Sequence, residues 1–242
     1  MNWRLFVGLN FWRIREAATV YGIIPKPLVP RGRYWLYDIK RFSDDPVNLI
    51  FDIGANTGQT SLKAVRFIPK ATIYAFEPSK DTFAELIKNT QNLKNVHCFQ
   101  LAFGDSVGYG QLRLREFTQH NTLIPTDDEF RHTIGVETVK VDTVDNFCEQ
   151  HSIKSFDVLK MDVQGYELNC LYGAKRMLAQ RAIRFIYSEV GFTRQEAENQ
   201  YFNPLDTFLT EYGYKLCGLY EIHRNGDHKQ FIGYCNALYA LQ

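Results

Sequence analysis

The chain has 242 residues, of which 45% are hydrophobic and 23% are charged, and its formal net charge is +1. This composition is that of a folded globular protein, and it excludes a disordered or fibrous chain. A net charge so close to zero gives no general attraction to nucleic acid, so no nucleic-acid partner is expected. The five cysteines are widely spaced and include no C-x-x-C pair, which argues against a disulfide framework or a zinc site and favours a cytoplasmic protein.

The first part of the chain, residues 1–45, is expected to form an N-terminal helix followed by a segment that covers the core. Residues 2–18 repeat apolar side chains at helical spacing, with three arginines off the apolar stripe. Such a helix could make peripheral contact with an anionic membrane, or it could pack on the core as a lid, which the small number of arginines favours. The aromatic residues 34–37 could cover a ligand or belong to the core. The sequence has no apolar run long enough to cross a membrane.

The first strand is predicted at residues 48–53, which are mostly apolar and lead into a glycine-bearing turn. This is the pattern of a buried parallel strand that feeds a helix. Gly54 and Gly58 would let a ligand approach the backbone where a side chain would block it. Asp52 lies at the carboxyl end of the strand, where it would suit a ligand that carries positive charge.

The turn after this strand excludes two common nucleotide-binding loops. Asn56 stands where a dinucleotide-binding loop would need glycine, and Gln59 follows Gly58 where a P-loop would need lysine. No basic residue lies between Arg41 and Lys63, so nothing in the loop neutralises a phosphate. S-adenosylmethionine fits these requirements, because it carries an ammonium and a sulfonium and no phosphate.

The next two strands bring further acids to the same edge of the sheet. A second strand at residues 72–76 ends at Glu77, 19 residues after Gly58, which is about the offset at which an acid binds ribose hydroxyls. A third strand at residues 95–101 precedes Asp105. This acid suits the adenine side of a nucleoside site, and it could equally be an ordinary turn residue.

Residues 106–141 interrupt the alternation of strands and helices with an inserted β-hairpin and a loop that carries His120. A long loop near the carboxyl edge of a parallel sheet is typical of a functional cover. A fourth strand at residues 156–161 leads to Asp162. A fifth strand at residues 183–187 leads to Glu189.

The end of the chain predicts an antiparallel hairpin, because Asn225-Gly226 is a two-residue turn signal between residues 215–222 and 230–241. The whole chain is therefore predicted to be one α/β domain, with residues 46–242 as its catalytic core. Its doubly wound, mostly parallel seven-stranded sheet would end in that hairpin. Helices are predicted at residues 58–67, from 78 onward, and at 143–151, 168–179 and 203–212.

Four segments resemble the FkbM-type family of S-adenosylmethionine-dependent methyltransferases, and the similarity runs from about residue 48 to 190. The segments are residues 51–59 (FDIGANTGQ), 75–78 (AFEP), 102–105 (AFGD) and 160–167 (KMDVQGYE). Residues 121–123 (NTL) are similar to a further piece of the family's inserted loop. The resemblance implies a class I methyltransferase fold, which is Rossmann-like. It also implies O-methylation of a hydroxyl on a sugar, a glycan or a natural product, and it leaves open the acceptor and the oligomeric state.

Within this hypothesis the cofactor-binding roles fall on the three turns. Asp52 would bind the methionine ammonium, and Glu77 the ribose. The backbone around Gly54, Asn56 and Gly58 would approach the cofactor closely. Ala102 and Asp105 would lie on the adenine side.

The catalytic roles are predicted for Asp162, Glu189 and His120. Asp162 and Glu189 end neighbouring strands of the predicted sheet, so their carboxylates could converge to act as a base or to hold a divalent cation. Glu167 is a further candidate, although an acid at the start of a helix is favourable for the helix dipole alone.

Two other classes of protein compete with the methyltransferase hypothesis. A nicotinamide-dependent oxidoreductase could use a similar fold, but its usual Tyr-x-x-x-Lys base is absent, since Arg176 stands four residues after Tyr172. A non-catalytic nucleoside-binding or scaffold module would bind the ligand without turnover.

Overall fold

The computed structural model describes residues 30–124, 133–192 and 200–242. The helix predicted at residues 2–18 lies outside these ranges. The helices are α1 (Trp35–Phe42), α2 (Gln59–Phe67), α3 (Lys80–Thr90), α4 (Val144–Gln150), α5 (Glu167–Tyr172), α6 (Lys175–Ala179) and α7 (Phe202–Glu211). The strands are β1 (Leu49–Ile53), β2 (Thr72–Phe76), β3 (Val96–Phe99), β4 (Ala102–Phe103), β5 (Gly108–Arg115), β6 (Thr133–Asp142), β7 (Phe156–Met161), β8 (Ile183–Gly191), β9 (Tyr214–Asn225) and β10 (Phe231–Leu241).

Seven strands form the central sheet, in the order β3-β2-β1-β7-β8-β10-β9. The first five strands in this order, namely β3, β2, β1, β7 and β8, run in parallel, whereas β10 is antiparallel to both β8 and β9. β7 is buried along its whole length because apolar clusters that include helix residues cover both faces of the sheet. The predicted doubly wound sheet with its terminal hairpin is confirmed.

The insertion forms a second, three-stranded sheet in the order β4-β6-β5. The predicted pairing of its two long strands is present, with β5 antiparallel to β6. The third strand of the central sheet is shorter than predicted and ends at Phe99. Ala102 and Phe103 leave it and pair instead with Val141 and Asp142 of β6, so the insertion begins where the central sheet's edge strand ends.

The aromatic residues at 34–37 belong to the core. Trp35 and Tyr37 are buried on α1, where the Trp35 ring stacks on Tyr187 with ring centroids 4.3 Å apart. The Tyr37 ring meets Phe67 of α2 edge to face at 4.7 Å. These contacts fix α1 on the sheet face that α2 also covers, and they settle the alternative between core and ligand cover in favour of the core.

The terminal hairpin differs from its prediction in two places. Residues 226–230 connect β9 to β10, so Asn225-Gly226 starts a five-residue loop and does not form a two-residue turn. Farther along, Tyr234 pairs with His223 and Asn236 pairs with Tyr220, which leaves one extra residue in β9. The extra residue is accommodated by a β-bulge, at which Glu221 adopts a left-handed φ of 51°.

The helix predicted at residues 168–179 is divided into α5 and α6. A Cβ at Gly173 would lie 2.0 Å from the carbonyl oxygen of Gly104, so only glycine allows the two backbones to approach this closely. Asp145 then caps α6, because its carboxylate accepts hydrogen bonds from the amides of Arg176 and Met177 at 2.7 and 3.0 Å.

Replacing Gly173 with alanine is therefore expected to lower the free energy of unfolding by about 3 kcal/mol, because the added methyl group would overlap a backbone atom that cannot rotate away. Urea denaturation would measure the loss. Gly108→Ala is the matched control, since a Cβ at Gly108 meets no atom within 4 Å. Equal stability of the two variants would contradict the close backbone approach.

Candidate active site

A cavity of about 270 Å³ opens at the carboxyl edge of the central sheet, where β1, β2 and β7 end. Part of its lining comes from the insertion, including Leu112, Thr118 and Asn121. The turns that the sequence singled out therefore do converge on one site. The predicted site residues that line it are Gly54, Asn56, Glu77, Ala102 and Asp162.

Glu77 is buried in the wall of this cavity at the end of β2. Its two carboxylate oxygens accept hydrogen bonds from the backbone amides of Asn56 and Ser79, each at 3.0 Å. Burial raises its pKa from 4.5 to about 7, and the two amides oppose this shift. Glu77 is thus a fixed acceptor that changes charge near neutral pH.

Asp52 lies behind the cavity, and its predicted contact with a ligand ammonium is not supported by its surroundings. Its Oδ1 is 2.9 Å from Nζ of Lys160, and its Oδ2 accepts a hydrogen bond from Ser61 at 2.7 Å. Both members of this ion pair are buried. Lys160 also donates to the carbonyl of Gly54 at 2.9 Å, so the ion pair holds the glycine turn in place.

Lys160 was missed as a functional residue by the sequence analysis, although a signal existed. A lysine inside a buried strand requires a carboxylate partner, because an unpaired buried charge is very unfavourable. Asp52 on the neighbouring strand β1 is directly opposite Lys160 in the parallel register.

The two glycines of the turn are needed for the protein's own packing. Gly54 has φ of +70°, and a Cβ there would lie 1.9 Å from the carbonyl oxygen of Asp162. Gly58 has φ of +96°, and its Cβ would point at Leu86 of α3. Gly54 lines the cavity, whereas Gly58 packs against a helix and is not among the residues that line it.

Asp162 and Glu189 converge as predicted, and the link between them is the amide of Gln164. Nε2 of Gln164 donates to Asp162 at 2.9 Å and to Glu189 at 3.2 Å. Glu189 does not end its strand, because β8 continues to Gly191 along β10. Burial, and next the negative charge of Asp162, raise the pKa of Glu189 from 4.5 to about 9.

Thr122 joins the insertion to the turn that carries Asp162 and Gln164. Its hydroxyl is buried, donates to the carbonyl of Gln164 at 2.9 Å, and accepts from the amide of Ile124 at 3.1 Å. Asn121 and Leu123, on either side of Thr122, line the cavity. The insertion therefore contacts the same turn that carries Asp162.

His120 and Asp105 lie outside the main cavity. His120 belongs to a short 3-10 helix (Thr118–His120), where its ring is 6.1 Å from that of Phe117, while its neighbours Thr118 and Gln119 line the cavity. Asp105 is exposed and lines a smaller depression of about 210 Å³. The two cavities share Leu123 and Tyr166, so Asp105 is near the main cavity without facing it.

Asp162 and Glu189 are the carboxylates that were predicted as a possible site for a divalent cation. Within residues 30–124, 133–192 and 200–242, no group of three or more His, Cys, Asp or Glu side chains is arranged to hold a metal ion. Asp162 and Glu189 supply two carboxylates, and an amide stands between them.

In the same described part of the chain, no helix has the length and apolar character needed to cross a membrane.

Glu167 is fully buried at the start of α5 beside the candidate site. One of its oxygens accepts a hydrogen bond from the amide of Val163 at 2.9 Å. Burial raises its pKa from 4.5 to about 8, and the backbone amides near it oppose this shift only in part. Glu167 is therefore largely protonated at neutral pH in the folded protein.

The Glu167→Gln variant is expected to be more stable than the wild type at pH 8 and no more stable at pH 4. In the unfolded chain the carboxyl ionises above its ordinary pKa, whereas in the fold it stays protonated up to about pH 8. The contribution of Glu167 to wild-type stability is thus fully present below pH 4.5 and is lost as the pH rises to about 8. Thermal melting across this range, with the exposed Glu211→Gln as control, measures the difference. A constant difference at all pH values would contradict it.

The strand order and the cavity at the carboxyl edge define a class I methyltransferase fold. The structure of the METTL16 methyltransferase domain shares this fold with a TM-score of 0.50, at 13% identity over 86% of this chain and 64% of that one. Residues 52–216 match the methyltransferase FkbM domain, and the chain belongs to that family.

Two curated relatives of this chain are named as methyltransferases. The chain is 29% identical over 160 residues to the 2-O-methyltransferase NoeI of Sinorhizobium fredii, an alignment that covers 60% of this chain and 63% of that protein. It is 27% identical over 181 residues to the hexuronic acid methyltransferase AglP of Haloferax volcanii, which covers 75% of this chain and 66% of that protein. The matches therefore span less than two thirds of either relative.

Proposed function

We propose that this protein transfers the methyl group of S-adenosylmethionine to a hydroxyl group of a sugar, a glycan or a natural product. The observation that carries the proposal is one cavity with two different carboxylate sites on its wall. Glu77 offers a fixed acceptor for ribose hydroxyls, and Asp162 lies beside Gln164, which links it to Glu189.

The residues around the cavity fit this cofactor better than they fit a phosphate-containing one. The turn from Gly54 to Gly58 contains no basic side chain. The nearest buried cation, Lys160, is paired with Asp52 and hydrogen-bonded to the turn. A basic side chain at this place would strengthen the binding of a pyrophosphate, whereas a cofactor that carries a sulfonium gains nothing from one.

When bound, S-adenosylmethionine supplies an activated methyl group on a good leaving group. The protein's task is then to hold the hydroxyl oxygen in line with that methyl group, an effect worth up to roughly 7–11 kcal/mol, and to accept the hydroxyl proton, which contributes about 10²–10⁴ in rate. Glu189 is our choice of proton acceptor because Gln164, which lines the cavity, joins it to Asp162, and because burial raises its pKa. Asp162 and Gln164 would position it.

The names of the relatives support a sugar as the acceptor. One relative is a 2-O-methyltransferase, and another acts on a hexuronic acid, as its name says. The lining of the cavity also includes several uncharged polar side chains that can bind hydroxyl groups, namely Gln59, Thr60, Thr118, Gln119, Asn121 and Gln164.

Two measurements test the proposal in sequence. Titration calorimetry with S-adenosylmethionine and with NAD⁺ should show binding of the former alone. Incubation with methyl-labelled S-adenosylmethionine and a panel of glycosides, with Mg²⁺ or with EDTA, should then label at least one acceptor. Binding of NAD⁺ in place of S-adenosylmethionine would favour an oxidoreductase, and binding without transfer to any acceptor would favour a scaffold.

A further inference from the structure

We propose that Lys63 and Glu221 bind the α-amino acid end of S-adenosylmethionine, with Lys63 facing the carboxylate and Glu221 facing the ammonium. This inference rests on the proposed function and assigns to other residues the cofactor contact that the sequence predicted for Asp52. Both residues line the cavity, Lys63 from α2 and Glu221 from the bulge in β9.

The bulge in β9 is the first observation that supports this role. Glu221 adopts a left-handed φ of 51° within a strand, a conformation that a glutamate enters at a cost in free energy. Bulges of this kind turn a side chain out of its regular direction and are frequent beside functional sites. Here the bulge lies in β9 at the place where this strand contributes Glu221 to the cavity lining.

Glu221 is held in position by neighbours that leave one of its oxygens accessible. Oε2 accepts hydrogen bonds from Nδ2 of Asn236 at 3.0 Å and from the Tyr187 hydroxyl at 3.5 Å. Oε1 is 4.0 Å from Nζ of Lys63, and each of these two side chains is 57% exposed. An ion pair so long and so exposed is weak. A ligand that carries both charges could therefore bind Lys63 and Glu221 in place of their contact with each other, at little cost in free energy.

The other charged groups of the cavity wall are already engaged. Lys160 is bound by Asp52, Asp162 accepts from Gln164 and lies 3.9 Å from Lys160, and Glu77 accepts two backbone amides. Lys63 is thus the one cation among the described lining residues that is not neutralised by a buried carboxylate. A zwitterion needs one positive and one negative group, and this pair supplies both.

The position of the pair also suits the length of the cofactor. The turn that contacts Glu77 runs directly into α2, where Gln59, Thr60 and Lys63 line the same cavity. The wall therefore leads from the proposed ribose site at Glu77 to the charge pair. In the cofactor, the amino acid likewise extends from the ribose.

The test compares two ligands that differ only in the amino acid end. S-adenosylhomocysteine has the ammonium and the carboxylate, and 5′-methylthioadenosine has neither. Calorimetry with wild type, Lys63→Met and Glu221→Gln should show that each substitution weakens S-adenosylhomocysteine about tenfold or more and changes 5′-methylthioadenosine less than about twofold. Lys88→Met, on the exposed face of α3, should change neither affinity.

A third ligand separates the two roles. Decarboxylated S-adenosylmethionine keeps the ammonium, so its affinity should fall in Glu221→Gln and stay unchanged in Lys63→Met. Loss of affinity for all three ligands alike would overturn the assignment, as would normal cofactor binding with a raised acceptor KM, which would place the pair at the acceptor. If wild type bound none of the three, the proposed function itself would be wrong.

Discussion

Replacing Glu189 with glutamine is expected to lower kcat for methyl transfer by about 10²–10⁴ while the affinity for S-adenosylmethionine changes little. Glutamine keeps the size of the side chain and can still meet Gln164, but it cannot accept the proton of the acceptor hydroxyl. Single-turnover assays with labelled cofactor would measure the chemical step directly.

The pH profile provides a second signature of this role. Because burial and Asp162 raise the pKa of Glu189 to about 9, the fraction in the carboxylate form increases with pH and reaches one half near pH 9. Wild-type activity should therefore rise from pH 6 to about 9. The apparent pKa of this rise belongs to Asp162 and Glu189 together, because the two carboxyl groups interact. The small residual activity of Glu189→Gln should lack that rise.

Gln164→Leu gives a complementary variant, since it keeps both carboxylates and removes the amide between them. Without that donor the carboxylates repel more strongly, so the rise in activity should move to higher pH. Glu211→Gln is the control, because Glu211 is exposed at the end of α7 and does not line the cavity. An activity of Glu189→Gln within threefold of wild type would assign the proton transfer to another group.

The second large effect is expected at Glu77. The Glu77→Ala variant should bind S-adenosylmethionine at least tenfold more weakly, which corresponds to about 1.4 kcal/mol. A carboxylate that accepts ribose hydroxyls is lost, and the amides of Asn56 and Ser79 lose their partner as well. Calorimetry at pH 8 gives the difference directly.

Glu77 should also make cofactor binding depend on pH. Its pKa is raised to about 7, so it becomes ionised between pH 6 and 8, and the ionised form attracts a positively charged cofactor more strongly. Wild-type affinity should increase across this interval. Glu77→Gln keeps an acceptor of the same size and should bind with nearly constant affinity; an unchanged pH dependence in this variant would contradict the role of Glu77.

Much of the fold could be predicted because its signals are local. Short apolar runs after turn residues marked the strands. Either Asp142 or Thr143 marked the start of α4, and the side chain of Thr143 accepts from the amide of Asn146. The division between α5 and α6 could not be predicted, because it depends on the contact of Gly173 with Gly104, which are far apart in sequence. The bulge at Glu221 likewise arises from pairing across two strands.

The site was predicted less completely than the fold. Strand ends identified Glu77 and Asp162, since the topology alone brings carboxyl ends of parallel strands together. Glu189 was placed beside Asp162 by the same argument, although β8 continues past it to Gly191. Asp52 was assigned to the ligand because the sequence does not show that Lys160, on another strand, is its ion-pair partner.

The hydrogen bond from Thr122 to the carbonyl of Gln164 has a consequence for how the protein could change its acceptor. The insertion supplies part of the cavity wall, so variation in its length or sequence alters which molecules fit. The same segment also holds the turn whose amide sets the spacing of two carboxylates. An exchange of insertions between relatives would therefore alter proton affinity together with selectivity, unless a hydroxyl is kept at position 122.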